Sequence, residues 1–188
     1  MPITKTGWEL HIVREREQRR ASDGRRRTVG KYQVYHDGVA QTAPMLRGTT
    51  AESKGPGANA PAGNGRRIEA GRYSLWTHDP GNYSTCEYKQ SESIGASPKP
   101  GIELRDTGQR SEILIHPGKE AFLSSVGCIN PCTSLPNADE IINYKGSRKR
   151  VIALIDDMKT YLGNEFPKTD DKSIPRAFVV IDGEPPAA

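Results

Sequence analysis

His116, Cys128 and Cys132 lie in the stretch ILIHPGKEAFLSSVGCINPC, residues 113–132, and these are the side chains of the chain best suited to chemistry. A cysteine attacks as its thiolate, and a nearby imidazole can take the thiol proton. His116 ends an apolar run, and Cys128 follows on a Gly- and Ser-containing loop, so the two meet if the loop folds back. Gly127 gives the backbone a tight turn, so the Gly127 and Cys128 amides are candidate oxyanion donors. Two other readings stay open. His116, Cys128 and Cys132, joined by His78 or Cys86, are zinc-type ligands, although Cys128 and Cys132 are separated by Ile-Asn-Pro rather than the two residues common in zinc knuckles. Alternatively, the cysteine packs as a small hydrophobe and the histidine as a satisfied polar residue. A Cys128–Cys132 disulfide, which would silence the nucleophile reversibly, is also open.

The elements that must position these residues read as mainly β. Apolar and polar residues alternate over 8–14 and 31–46, with Asp37-Gly38 as a hairpin turn. Asp23-Gly24 marks the tip of a long hairpin between them. Further strands are expected over 67–78, 102–105, 112–116 and 176–182, with 83–89 pairing to 67–78. Residues 52–67 read as a flexible loop with nothing to bury, and 183–188 as a tail. Helices are expected over 137–146 and 147–163, the second with Ser147 as N-cap and Gly163 as terminator. The fold class is α+β, mainly β, with one or two C-terminal helices in a single domain over 1–188.

Composition bounds the partners. The net charge of +4 is mild, and seven of the fourteen residues from Arg14 to Arg27 are arginine. Acidic residues interrupt that run and no aromatic is interleaved for base stacking, so it reads as a solvated hairpin end rather than a nucleic-acid patch. No segment has the run of apolar residues that a membrane span requires, and the first residues lack the apolar core of a signal peptide. Neither nucleic acid nor membrane is expected as a partner. Three cysteines are too few for a disulfide framework.

The stretch IHPG…SVGCIN resembles the active-site signature of the L,D-transpeptidase (YkuD-like) superfamily, through His116, Gly118, Ser125, Gly127, Cys128, Ile129 and Asn130. RRIEAGRYSLW (66–76) is similar to the strand that precedes the site in such proteins. The chain resembles a compact variant, in which Val126 stands where a second histidine is common. The resemblance implies a β-rich domain that acts on peptidoglycan stem peptides without a cofactor or metal. Cys128 would be the nucleophile, His116 the base, and Gly127 and Ser125 would support the catalytic turn. Asn130, Tyr73, Arg105 and Arg110 are candidate substrate-binding residues, the arginines because forked donors suit carboxylates. The reaction implied is L,D-transpeptidation or L,D-carboxypeptidation through a thioester.

A wall-enzyme signature without a recognisable leader gives the expectation of a protein made in the bacterial cytoplasm and acting in the periplasm or cell wall. An antibacterial effector (a toxin) or phage-related enzyme would fit, with a secretion-machine or immunity protein as partner. A non-catalytic peptidoglycan- or protein-binding module on the same scaffold is the first alternative, and a zinc-stabilised domain the second.

Overall fold

The structure is a computed structural model that describes residues 2–78, 81–124 and 126–188. Among them the strands are β1 (Trp8–Arg19), β2 (Arg26–His36), β3 (Val39–Ala40), β4 (Arg47–Ser53), β5 (Gly71–Thr77), β6 (Tyr83–Ser84), β7 (Lys99–Pro100), β8 (Ile102–Leu104), β9 (Ile113–Ile115), β10 (Asn130–Cys132) and β11 (Ser173–Asp182). One helix, α1 (Tyr144–Leu162), precedes the last strand. With 35% of residues in strand and 14% in helix, the protein is mainly β.

The main sheet runs β10-β4-β2-β1-β11-β5-β8-β9. Its two ends meet: Ile115 bridges Ile129 in parallel, His116 N donates to Ile129 O (3.1 Å) and Ile129 N to Leu114 O (2.8 Å). The sheet is therefore nearly closed, and its seam joins the strand end carrying His116 to the segment carrying Cys128. Period-two alternation puts Trp8, Leu10 and Ile12 of β1, Tyr32 and Val34 of β2, and Ala177, Val179 and Ile181 of β11 into the apolar interior. Val151, Leu154, Ile155, Met158 and Leu162 of α1 join the same cluster, each worth about 1.5–3 kcal/mol on leaving water.

Both hairpin turns form where Asp-Gly pairs predict them. Asp37 and Gly38 take positive φ (48° and 83°), and Gly24 does so (69°) in the turn joining β1 to β2. Five expectations need correction. Segment 83–89 does not pair with 67–78: Tyr83–Ser84 pairs in parallel with Lys99–Pro100 in a separate small sheet. Residues 137–143 are not helical, and α1 begins at Tyr144, capped by Asn143, whose side-chain oxygen accepts from Gly146 N at 2.8 Å. Ser147, expected as the cap, is buried inside the helix and its hydroxyl bonds Gly118 N and Pro131 O. Gly163 ends the helix at positive φ (55°), as expected.

The fourth and fifth corrections concern charge. Arg14 and Arg27 of the arginine-rich hairpin are buried rather than solvated. Arg14 forms a two-bond fork with Glu52 (2.9 and 2.7 Å). Segment 52–67 starts as the end of β4, and the rest is pinned: Arg67 pairs with Glu17 at 2.9 Å and with Glu184 of the tail. Ala58 N–H also donates to Arg67 O at 3.0 Å, closing the base of the loop. No helix is long and apolar enough to cross a membrane among the described residues.

Candidate active site

The seam places His116 and Cys128 by register. Thr77, Ile102, Ile115 and Ile129 form one row across β5, β8, β9 and the closing segment, and the last three enter the core. Side chains in the rows on either side therefore face outward. One of these rows is Trp76, Glu103, Leu114 and Cys128; continuing the register by one residue past the core row gives the other, His78, Gly101, His116 and Asn130. Cys128 and His116 are thus diagonal neighbours on one face of adjoining segments, a relation within side-chain reach.

The geometry settles the His116 tautomer. Its Nδ1 lies 2.8 Å from Pro117 O, and a carbonyl can only accept, so Nδ1 carries the hydrogen and Nε2 is the basic nitrogen. Burial pushes the imidazole down to about 4, partly offset by that bond to Pro117, so the ring is neutral at pH 7. Asn130 is fully buried, and its Nδ2 donates to His116 O at 3.0 Å. It is a positioning residue for the histidine, not a surface that meets substrate. Tyr83 crosses from the small sheet and stacks on the imidazole with ring centroids 4.5 Å apart. Gly101 makes this possible, since the space of its missing side chain is taken by Tyr83, whose Cβ would lie 2.9 Å from an added Cβ. Replacing Asn130 with Ala is expected to lower kcat about tenfold with KM little changed, since His116 loses one of its two anchors. Steady-state kinetics beside a melting curve checks this; an unchanged kcat would show that Pro117 alone orients the ring.

The thiol sits among backbone groups. Leu114 N–H donates to Cys128 Sγ (3.4 Å), and the thiol lies 3.5 Å from Glu112 O as its acceptor. An amide aimed at sulfur favours the thiolate. Gly127 has φ +102°, and a Cβ there would collide with Arg110 Nη2, so glycine is required on two counts. Its amide, expected as an oxyanion donor, instead donates to Ser53 Oγ at 2.9 Å. Ser53 thus fixes the turn from β4, and the Gly127 amide is engaged rather than open to a substrate. Ser125 lies outside the described residues.

Of the four expected substrate contacts, Arg110 alone is brought to the nucleophile. Its guanidinium packs on Gly127 and bonds Ala58 O (3.1 Å) and Arg66 O (2.9 Å), tying the neck of the 58–66 loop to the catalytic turn. Burial pushes its ionisation down, and the Cys128 charge opposes that shift. Tyr73 is buried: it donates to Glu69 O and accepts from Asn59, holding the same loop. Arg105 is committed elsewhere, to Glu103 (2.9 Å) and Asp171 (3.0 Å).

His78 reads as a loop residue in the sequence, yet it is buried two strands from His116. Its Nδ1 is 3.4 Å from Glu103 and its Nε2 3.8 Å from Glu112. The bond to Glu103 holds its ionisation above the usual imidazole value, despite burial. The proposed zinc ligands are not gathered. Cys132 belongs to a separate apolar cluster with Val29, Ala51, Leu135 and Ile142, and Cys86 bonds Pro167 O. Among the described residues no group of three or more His, Cys, Asp and Glu could hold a metal ion, and all three thiols are unbridged. Comparison with protein-family models, curated proteins and solved structures returns no match. Function therefore rests on this geometry.

Proposed function

We propose that the protein is a cysteine acyltransferase or hydrolase of the L,D-transpeptidase type, acting on peptidoglycan stem peptides. The observation that carries this reading is the register of the seam, which puts Cys128 and a neutral, Nδ1-anchored His116 on adjoining segments as diagonal neighbours. Cys128 Sγ attacks the carbonyl that precedes a terminal D-Ala, and its proton passes to His116 Nε2. The carbonyl oxygen takes the negative charge beside the Cys128 amide and the Arg110 guanidinium. The C–N bond then breaks, His116 returns the proton to the departing amine, and a thioester remains. An amine or water attacks that thioester, again losing its proton to His116. An extracytoplasmic site of action, through effector-type delivery with a dedicated secretion or immunity partner, belongs to the same proposal.

Incubation with a disaccharide-tetrapeptide is expected to release or exchange the terminal D-Ala. No loss from tetra- or pentapeptide stems would turn the reading into that of a binding module. Because burial holds His116 neutral above about pH 4, it is present as the free imidazole at neutral pH. His116 is therefore expected to add no inflection to the rate between about pH 5 and 7.5. A sigmoidal fall below about pH 6.5 that disappears in the His116→Gln variant's residual rate would contradict this protonation state.

A further inference from the structure

The nucleophile turn lies between two clefts. One, about 310 Å³, is lined by Gly63, Arg110, Glu112 and Val126 among others. The other, about 290 Å³, is lined by Arg25, Arg26, Lys54, Gly65, Leu123 and Val126 among others. Exposed Val126 is common to both, two residues before Cys128, and the 62–65 segment forms a shared wall. Cys128 itself lines neither cleft, but an extended ligand crossing Val126 reaches from one cleft into the other within two residues of it.

The clefts differ in charge. The first pairs a cation with an anion, Arg110 with Glu112, whereas the second has three cations and no carboxylate in its lining. The nearest acids are engaged behind it. Glu17 is buried and shared by Arg67 (2.9 Å) and Arg26 (3.6 Å), and Asp23 is held by Arg20. The guanidinium of exposed Arg25 lies over Phe122, its Cζ 5.8 Å from the ring centroid. Three cations converging on a concave site select an anionic group over a neutral isostere.

We propose that the cleft of Arg25, Arg26 and Lys54 is a subsite for the carboxylate-bearing part of an acidic peptide, the acyl donor whose scissile carbonyl lies at Cys128. This rests on the acyl-transfer reading and adds to it a substrate charge requirement and the residues that impose it.

The test uses full-length Cys128→Ala protein, which binds without turnover, and two synthetic stem tetrapeptides: one with a free carboxylate on its second residue, and one with that group amidated. The acidic peptide is expected to bind about fivefold or more tightly, with the advantage shrinking as salt rises from about 50 mM to about 0.5 M. Arg25→Ala/Lys54→Ala on the same background should remove most of the preference and leave the amidated peptide's affinity unchanged. These two side chains lie at the surface, so the fold is retained; a matching melting curve confirms it. Equal binding of both peptides, a preference that survives the double variant, or no binding of either overturns the subsite. Failure of the acyl-transfer reading shows differently, as absent Cys128-dependent turnover in the wild-type protein while the acidic preference persists.

Discussion

Cys128→Ala is expected to reduce D-Ala release by about 10⁴-fold or more, to the level of the substrate's own hydrolysis, with the melting temperature little altered. The large effect follows from the absence of a substitute: Cys86 and Cys132 lie in other clusters, and burial pushes both thiols up to about 12. Cys128→Ser should be nearly as inactive. A hydroxyl holds its proton far more strongly than a thiol, and an imidazole held at about 4 by burial is too weak a base to take it. The small stability effect follows from size and place: Cys128 is buried but small, and it lies outside the main apolar cluster that Ile129 beside it enters. Rate measurement on purified wild type, Cys128→Ala and Cys128→Ser decides the matter. A Cys128→Ser protein within tenfold of wild type would mean that the base is stronger than its burial implies.

Arg27→Met is expected to lower unfolding free energy by about 3–5 kcal/mol, the largest stability effect of any single substitution considered. Arg27 is fully buried, yet its guanidinium has no carboxylate. Its Nη atoms donate to Phe122 O, Glu140 O and Asn137 O, each at 2.9 Å, and its Nε to Gln18 Oε1 at 2.8 Å. Burial pushes its ionisation down to about 10, only partly offset by nearby Cys132 and Glu140, so it stays protonated at neutral pH. A buried charge pair can be replaced by apolar groups at little cost when both partners go. Here the three main-chain carbonyls remain after the arginine is removed, that of Phe122 buried and those of Glu140 and Asn137 part-buried, and each loses its donor. Those carbonyls belong to the two segments flanking the nucleophile turn, so activity should fall as well. Denaturant titration checks the figure through the midpoint at unchanged slope. A loss below about 1 kcal/mol would show that water or another donor reaches the carbonyls.

How much of this the sequence carries depends on the range of the interaction. The Asp37-Gly38 and Asp23-Gly24 turns, the strand alternation and the apolar stripe of α1 are local patterns, and each forms where it is expected. A strand-end histidine and a Gly-Cys turn suggest that His116 and Cys128 work together, and the seam brings their two segments side by side. Residues acting across the sheet left no such mark. His78 enters the row of His116 only because β5, β8 and β9 fall into register, Tyr83 meets His116 from the separate small sheet, and Ser53 reaches Gly127 only because β4 lies near the seam. Arg14 and Arg27 were hidden by composition, since an arginine-rich run with interspersed acids reads as a solvated surface while these two point inward to partners 38 and 95–113 residues away. Helix periodicity overreached at Ile141-Ile142, where Asn143 caps α1 and Ile142 instead bridges Ala121.

The central claim, a thioester on Cys128, is tested most directly by intact-protein mass spectrometry during a single turnover with a stem tetrapeptide, followed by peptide mapping after acid quench. A transient adduct equal to the acyl part of the donor, located on Cys128, absent from Cys128→Ala and discharged faster when an amine acceptor is added, is the predicted result. Release of D-Ala without any adduct at Cys128, or an adduct located on another residue, would contradict it.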